Sequence, residues 1–166
     1  MAQNHYDQSK YSAGIPIPPR GMEKTAIVIC WWGLLFAAIH VYWLAGGKLG
    51  LPIDGNIYMN LPLLVIDILA IPMCLLASFT GLSLIRPWGD RFPRWIRLAL
   101  AWFGFLVPFL HAVQGYGELI FIKAGWIANP YSEAIFYAVM IFEGIFLSGG
   151  ILFGLLLWQY YRYCRI

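Results

Sequence analysis

Four stretches of this 166-residue chain, roughly 25–47, 61–85, 98–122 and 134–158, stay apolar beyond the length of about 20 residues that crosses a hydrocarbon core about 30 Å thick. In lipid such a segment must bond every backbone N–H and C=O internally, which a helix does and an isolated strand cannot. The expected fold class is therefore all-α: a polytopic membrane protein built as a four-transmembrane-helix bundle. Composition agrees, with 61% apolar and 11% charged residues, where soluble domains carry about 25% charged. Little chain remains for a soluble domain. The first run is too long for a signal-peptide core of about 7 to 15 residues and follows a polar stretch, so it reads as a retained helix.

The distribution of Lys and Arg sets the expected orientation. Lys10, Arg20 and Lys24 precede the first span, Arg86, Arg91, Arg94 and Arg97 join the second to the third, and Arg162 and Arg165 follow the fourth. Only Lys48 and Lys123 fall on the other side. Both termini are expected in the cytoplasm of a bacterial cell, with 1–24 an extended or disordered tail, 25–160 the transmembrane domain and 161–166 a second tail. The net charge of +3 is thus a topology signal and implies no nucleic-acid partner. His5 reads as solvated. Pro52 and Asp54-Gly55 mark a tight outer loop, Trp88 and Trp95 beside the inner arginines suit a headgroup belt, and KAGWIANPYSE is the longest outer loop, its Trp126 and Tyr131 suited to the membrane surface. Pro108, Gly115 and Gly117 predict that the third helix kinks or frays toward the outer face.

Inside this apolar frame each span contributes one ionisable residue to a single layer. At a rise of about 1.5 Å per residue, His40 on the first helix, Asp67 on the second and His111 on the third all fall roughly 10 Å below the outer face, with Glu143 on the fourth near the midplane. Ionisable groups at such depth are costly, turn to the bundle interior and are functional candidates by default. Helical spacing adds neighbours: His111, Gln114 and Glu118 at i, i+3 and i+7, Asn60 on the Asp67 face, and a stripe of Phe36, His40, Trp43 and Gly47. The expectation is a polar pocket tilted toward the outer face, walled by aromatics, with Asp67, Glu143, His40 and His111 as catalytic candidates and Phe36, Trp43, Asn60, Gln114 and Glu118 lining it. The bland alternative is that the carboxylates are locked to the histidines and only fix helix register.

The cysteines carry no metal or redox spacing. Cys30 and Cys74 differ in depth by roughly 9 Å, too much for a disulfide, so both read as packing residues, and Cys164 reads as a free surface thiol. Gly150 and Gly154 form a GxxxG that lets another helix approach closely. Packing within the bundle is the favoured use, and homo-oligomerisation through the same pair is the alternative.

The stretch FAAIHVYWLAGGKLGLP, with its His-x-Tyr-Trp at His40 to Trp43 and the pair Gly46-Gly47, resembles an uncharacterised family of small bacterial four-span integral membrane proteins. That resemblance implies four spans and a bacterial inner membrane, and supplies no reaction. A looser similarity of layout, without a shared motif, is to membrane-embedded sterol isomerases and terpene cyclases.

The function favoured is an intramembrane acid/base enzyme of isomerase or cyclase type acting on a lipid or isoprenoid. An apolar setting favours the neutral carboxylic acid over its anion, which suits Asp67 or Glu143 as a proton donor, with a histidine to return or orient the proton and aromatic walls to shelter a cation. The alternative is a non-catalytic membrane subunit or immunity-type protein with a structural polar layer. No cofactor is required; a haem held by His40 and His111 is a further alternative, disfavoured by the adjacent carboxylates. Transport needs polar groups through both leaflets, whereas the inner half offers only Ser78, Thr80, Ser83 and Gln159.

Overall fold

A computed structural model describes residues 18–51, 53 and 56–163. The expectations for the tail up to residue 17, with His5 and Lys10, and for Pro52, Asp54-Gly55, Cys164 and Arg165 fall outside these residues. Four helices make up the described chain: α1 (Arg20–Leu44), α2 (Leu61–Ser83), α3 (Arg94–Lys123) and α4 (Glu133–Tyr163), with short 3₁₀ turns at Ile57–Met59 and Pro87–Arg91 and no strand among the described residues. All four are long and apolar enough to cross a membrane, and the protein is a membrane protein of all-helical class.

The helix ends follow local chemistry rather than the ends of the apolar runs. Pro19, whose fixed φ suits a helix entry, accepts the Glu23 N–H at 3.1 Å, so α1 begins at Arg20, inside the stretch read as tail. It stops at Leu44 because Gly46 takes a left-handed φ of 92°, a conformation open mainly to glycine. α4 runs on to Tyr163 because polarity does not break a helix; it only moves it out of hydrocarbon. α3 persists through Pro108, Gly115 and Gly117 to Lys123, and the expected fraying does not occur. Pro108 still removes one N–H, so the carbonyl of Gly104 lacks its i+4 donor. Pro72 does the same to Ile68 in α2.

The helices pack as two hairpins, α1 with α2 and α3 with α4, joined more sparsely along α1 and α4 and least along α2 and α3. Gly33 permits the first hairpin: a Cβ there would strike the Ser78 hydroxyl and the Cys74 carbonyl at 2.6 Å. Ser78 Oγ donates to the carbonyls of Cys30, at 3.0 Å, and Cys74, at 3.1 Å, which ties α2 to α1. In the second hairpin the GxxxG faces inward: a Cβ on Gly150 would sit 2.8 Å from Phe109 and one on Gly154 3.1 Å from Phe105. The glycine pair is thus covered by α3 of the same chain, the packing use that its spacing favoured. Trp32 joins the hairpins, its indole N–H donating to the Ile145 carbonyl at 3.1 Å.

The largest core cluster lies toward the end with the described termini, where Met22, Ile29, Leu84, Phe153 and Leu156 interlock. Arg97 reinforces that end, donating to the Ser83 carbonyl at 3.0 Å and pairing with Asp90 at 3.1 Å. Toward the opposite end the core divides, one cluster around Trp43, Leu51 and Ile57 and another around Leu119, Ile122 and Phe136. Outside, Leu35, Ile66, Leu110, Ile120 and Ile141 are exposed, as faces turned to acyl chains should be.

A candidate intramembrane site

The four ionisable residues resolve into two pairs, one in each hairpin. His40 of α1 and Asp67 of α2 are hydrogen-bonded through Nδ1 and Oδ1, and both are buried. His111 of α3 and Glu143 of α4 are bonded through Nδ1 and Oε2 at 3.0 Å. Gly115 is the reason that Glu143 can reach: its carboxyl lies where a Cβ on residue 115 would be. The second pair is the more open one, since the His111 side chain is 52% exposed and Glu143 only 8%.

Two phenyl rings pack against the imidazoles. Phe36 lies against His40 with centroids 4.8 Å apart and against Phe146 at 5.1 Å, and Phe146 stacks on His111 at 4.1 Å. Phe142 extends the wall, 6.4 Å from Phe36 and 5.0 Å from Trp43. Trp43 meets the His40 ring edge-on at 5.4 Å while its indole N–H is held by the Leu49 carbonyl at 3.0 Å.

Both histidines line a single cavity of about 320 Å³, and neither carboxylate does. Apart from Thr80, whose hydroxyl is bonded to the Leu76 carbonyl, its remaining walls are apolar, with Trp32, Met73, Phe103, Gly104, Val107 and Phe146 prominent. The volume is in the range of small-molecule sites, about 300–1,000 Å³. Because α2 and α3 are the loosely packed edge, the cavity lies at that edge, and Ile66, Leu69 and Phe103 of its rim are more than half exposed. It therefore borders the lipid, not the aqueous loops.

The other pocket residues expected from spacing are divided between the cavity and its surroundings. Phe36 lines the cavity and Trp43 backs His40, but Asn60 caps α2, its Oδ1 accepting from the Leu63 N–H at 3.1 Å. Gln114 is exposed on α3. Glu118 accepts from the Tyr131 hydroxyl at 2.9 Å, fastening the α3–α4 loop to α3. Burial, and then the Glu118 carboxylate, push the Tyr131 phenol above its ordinary value. The residues missed were the apolar walls, because a helix apolar on every side has no periodicity to single them out. Only Pro108, a break inside a span, was a visible signal, and it lines the cavity.

Among the described residues no group of three or more His, Cys, Asp or Glu is arranged to hold a metal. Cys30 and Cys74 are free thiols, as expected. The hydroxyls of Ser78, Thr80 and Ser83, in the half nearer the described termini, are engaged on backbone, Thr80 with Leu76 at 2.7 Å and Ser83 with Thr80 at 2.8 Å.

Residues 33–153 match the family model described as "Protein of unknown function (DUF3995)". The chain belongs to that family. The matched stretch contains both histidine–carboxylate pairs and most of the cavity wall. No curated protein and no solved structure matches the chain. These comparisons give no support to a likeness with sterol isomerases or terpene cyclases.

Proposed function

We propose that the protein is an intramembrane acid/base enzyme, of isomerase or cyclase type, acting on a lipid or isoprenoid that enters from the bilayer between α2 and α3. The observation that carries this reading is the placement of both imidazoles on one apolar cavity, each backed at Nδ1 by a carboxylate. A carboxylate in that position fixes the ring's orientation and tautomer and stabilises the imidazolium when it forms. The roles expected from sequence are thereby exchanged. His40 and His111 face the substrate and move the proton, and Asp67 and Glu143 act through them. A proton given to an alkene, epoxide or carbonyl by one pair and a proton taken back by the same or the other pair leaves the enzyme unchanged, so no co-substrate is needed. The host membrane would be the bacterial cytoplasmic membrane, with both termini inside, on the strength of the Lys and Arg distribution.

The test compares lipid extracts by mass spectrometry from cells making the wild type, Asp67→Asn or Glu143→Gln at equal membrane levels. A species that changes with the wild type alone supports the reading. If both amide variants alter the lipids as the wild type does, or none of the three alters any, the acid/base assignment falls.

One observation favours a second reading, a non-catalytic membrane subunit. Each pair joins the two helices of one hairpin, as a register lock would. In that case the amide variants keep any biological role of the protein and change no lipid.

A further inference from the structure

His40 has one ring nitrogen left over. Nδ1 is bonded to Asp67, and Nε2 is buried without a hydrogen-bond partner, as is Oδ2 of Asp67. The residue is only 6% exposed and lines the cavity. A buried polar atom without a partner calls for an explanation, and a missing ligand is one.

Charge bookkeeping says what that nitrogen offers. A pair with a net charge is far costlier in hydrocarbon than a net-neutral one. In its net-neutral form the pair holds two exchangeable protons. They are distributed either as imidazolium beside carboxylate or as imidazole beside carboxylic acid. With one proton in the Nδ1–Oδ1 bond, the second sits either on Nε2 or on Asp67 Oδ2; on Oδ2 it would be a buried donor away from the cavity with no acceptor in reach, so a ligand in the cavity that accepts a hydrogen bond draws it to Nε2. His40 therefore presents a donor to such a ligand, and no acceptor in the protein lies within hydrogen-bond distance of it.

We infer that the cavity selects a neutral, lipid-soluble molecule with a carbonyl oxygen at its head, bound by a hydrogen bond from His40 Nε2, its remainder lying along the apolar walls toward the α2–α3 edge. This deepens the function proposed above and rests on its assignment of the cavity as the substrate site. A hydrocarbon would leave the donor unpaired. A carboxylate or phosphate head would bring a full charge that the cavity does not balance. A ketone, quinone or enone satisfies the donor and also stands ready for protonation at oxygen.

The probe is farnesylacetone, an isoprenoid ketone, labelled with ¹³C at the carbonyl, compared with farnesane, a saturated hydrocarbon of similar shape, on the full-length protein in nanodiscs. The expected result is binding of the ketone at least ten-fold tighter than of the hydrocarbon, beyond partition into empty nanodiscs. Its carbonyl stretch should fall to lower frequency on binding, and His40→Phe should abolish both the preference and the shift. The infrared shift is read on the wild type, so the result stands even if His40→Phe does not fold. Equal binding of ketone and hydrocarbon, with no shift, overturns the inference about the head group while leaving a lipid-binding cavity and the acid/base reading to the lipid-extract test. Binding of neither probe overturns the inference and removes the substrate site on which it rests.

Discussion

At the scale of single residues, depth and partnership are different kinds of information. Counting along each span places His40, Asp67, His111 and Glu143 in one layer, because the rise per residue fixes position along the axis. Rotation about the axis and the packing of neighbours decide which imidazole meets which carboxylate, and a sequence apolar on all sides does not encode them visibly. Hence the layer was legible, as was the alternative that its carboxylates lock to its histidines, whereas the geometry that decides which meets which was not. Gly115 shows what the division depends on. Gly115→Ala puts a methyl group into the Glu143 carboxyl, which must leave His111. We predict a loss of roughly 1–3 kcal/mol, the usual cost of overpacking, as a lower midpoint of thermal unfolding, together with loss of any lipid change attributable to the wild type. Asp67→Ala should be worse than Asp67→Asn, because it leaves the buried His40 Nδ1 without any partner; removing one side of such a pair costs roughly 3–5 kcal/mol. The ratio of folded protein recovered in detergent for the two variants measures the difference.

At the scale of elements, the spans were legible because length and hydropathy suffice to announce them, and their ends were not because ends are set by caps and turns. Asn60 illustrates the distinction. Its spacing from Asp67 suggested a pocket residue, yet its side chain caps α2 at Leu63. Asn60→Ala should lower stability by about 1 kcal/mol and Asn60→Ser by less, with the lipid phenotype intact in both; a phenotype lost at normal stability would return Asn60 to the site. The α3–α4 loop is similarly pinned by Tyr131 on Glu118. Because burial, and then the Glu118 carboxylate, raise the Tyr131 phenol above its ordinary value of 10.0, the docked loop contributes stability that is whole below about pH 10 and is lost as pH rises through the folded value. Tyr131→Phe should remove that alkaline limb from a stability–pH curve and leave the neutral region nearly flat.

At the scale of the molecule, what the sequence did not disclose is the unequal packing of the four helices. Spacing identified neither the weak α2–α3 edge nor the cavity behind it, since its walls are ordinary Met, Val and Phe residues that would read the same in any buried core. The edge is open to a direct test. Ala70 lines the cavity on α2, and Ala70→Trp should fill it. We predict that this variant inserts and folds, loses both the lipid change and ketone binding, and keeps the bonds of His40 and Asp67. Retention of activity with the cavity filled would place the chemistry elsewhere.

The open edge also bears on what the protein is able to discriminate. A chamber closed on every side measures its guest from end to end. One that borders the bilayer along a slit examines only the portion drawn inside and leaves the rest among the acyl chains, where extra isoprene units cost nothing to accommodate. Compounds that share a head but differ in chain length should then compete as equals, and the cell's own distribution of lengths, rather than any ruler in the protein, would set which of them is used.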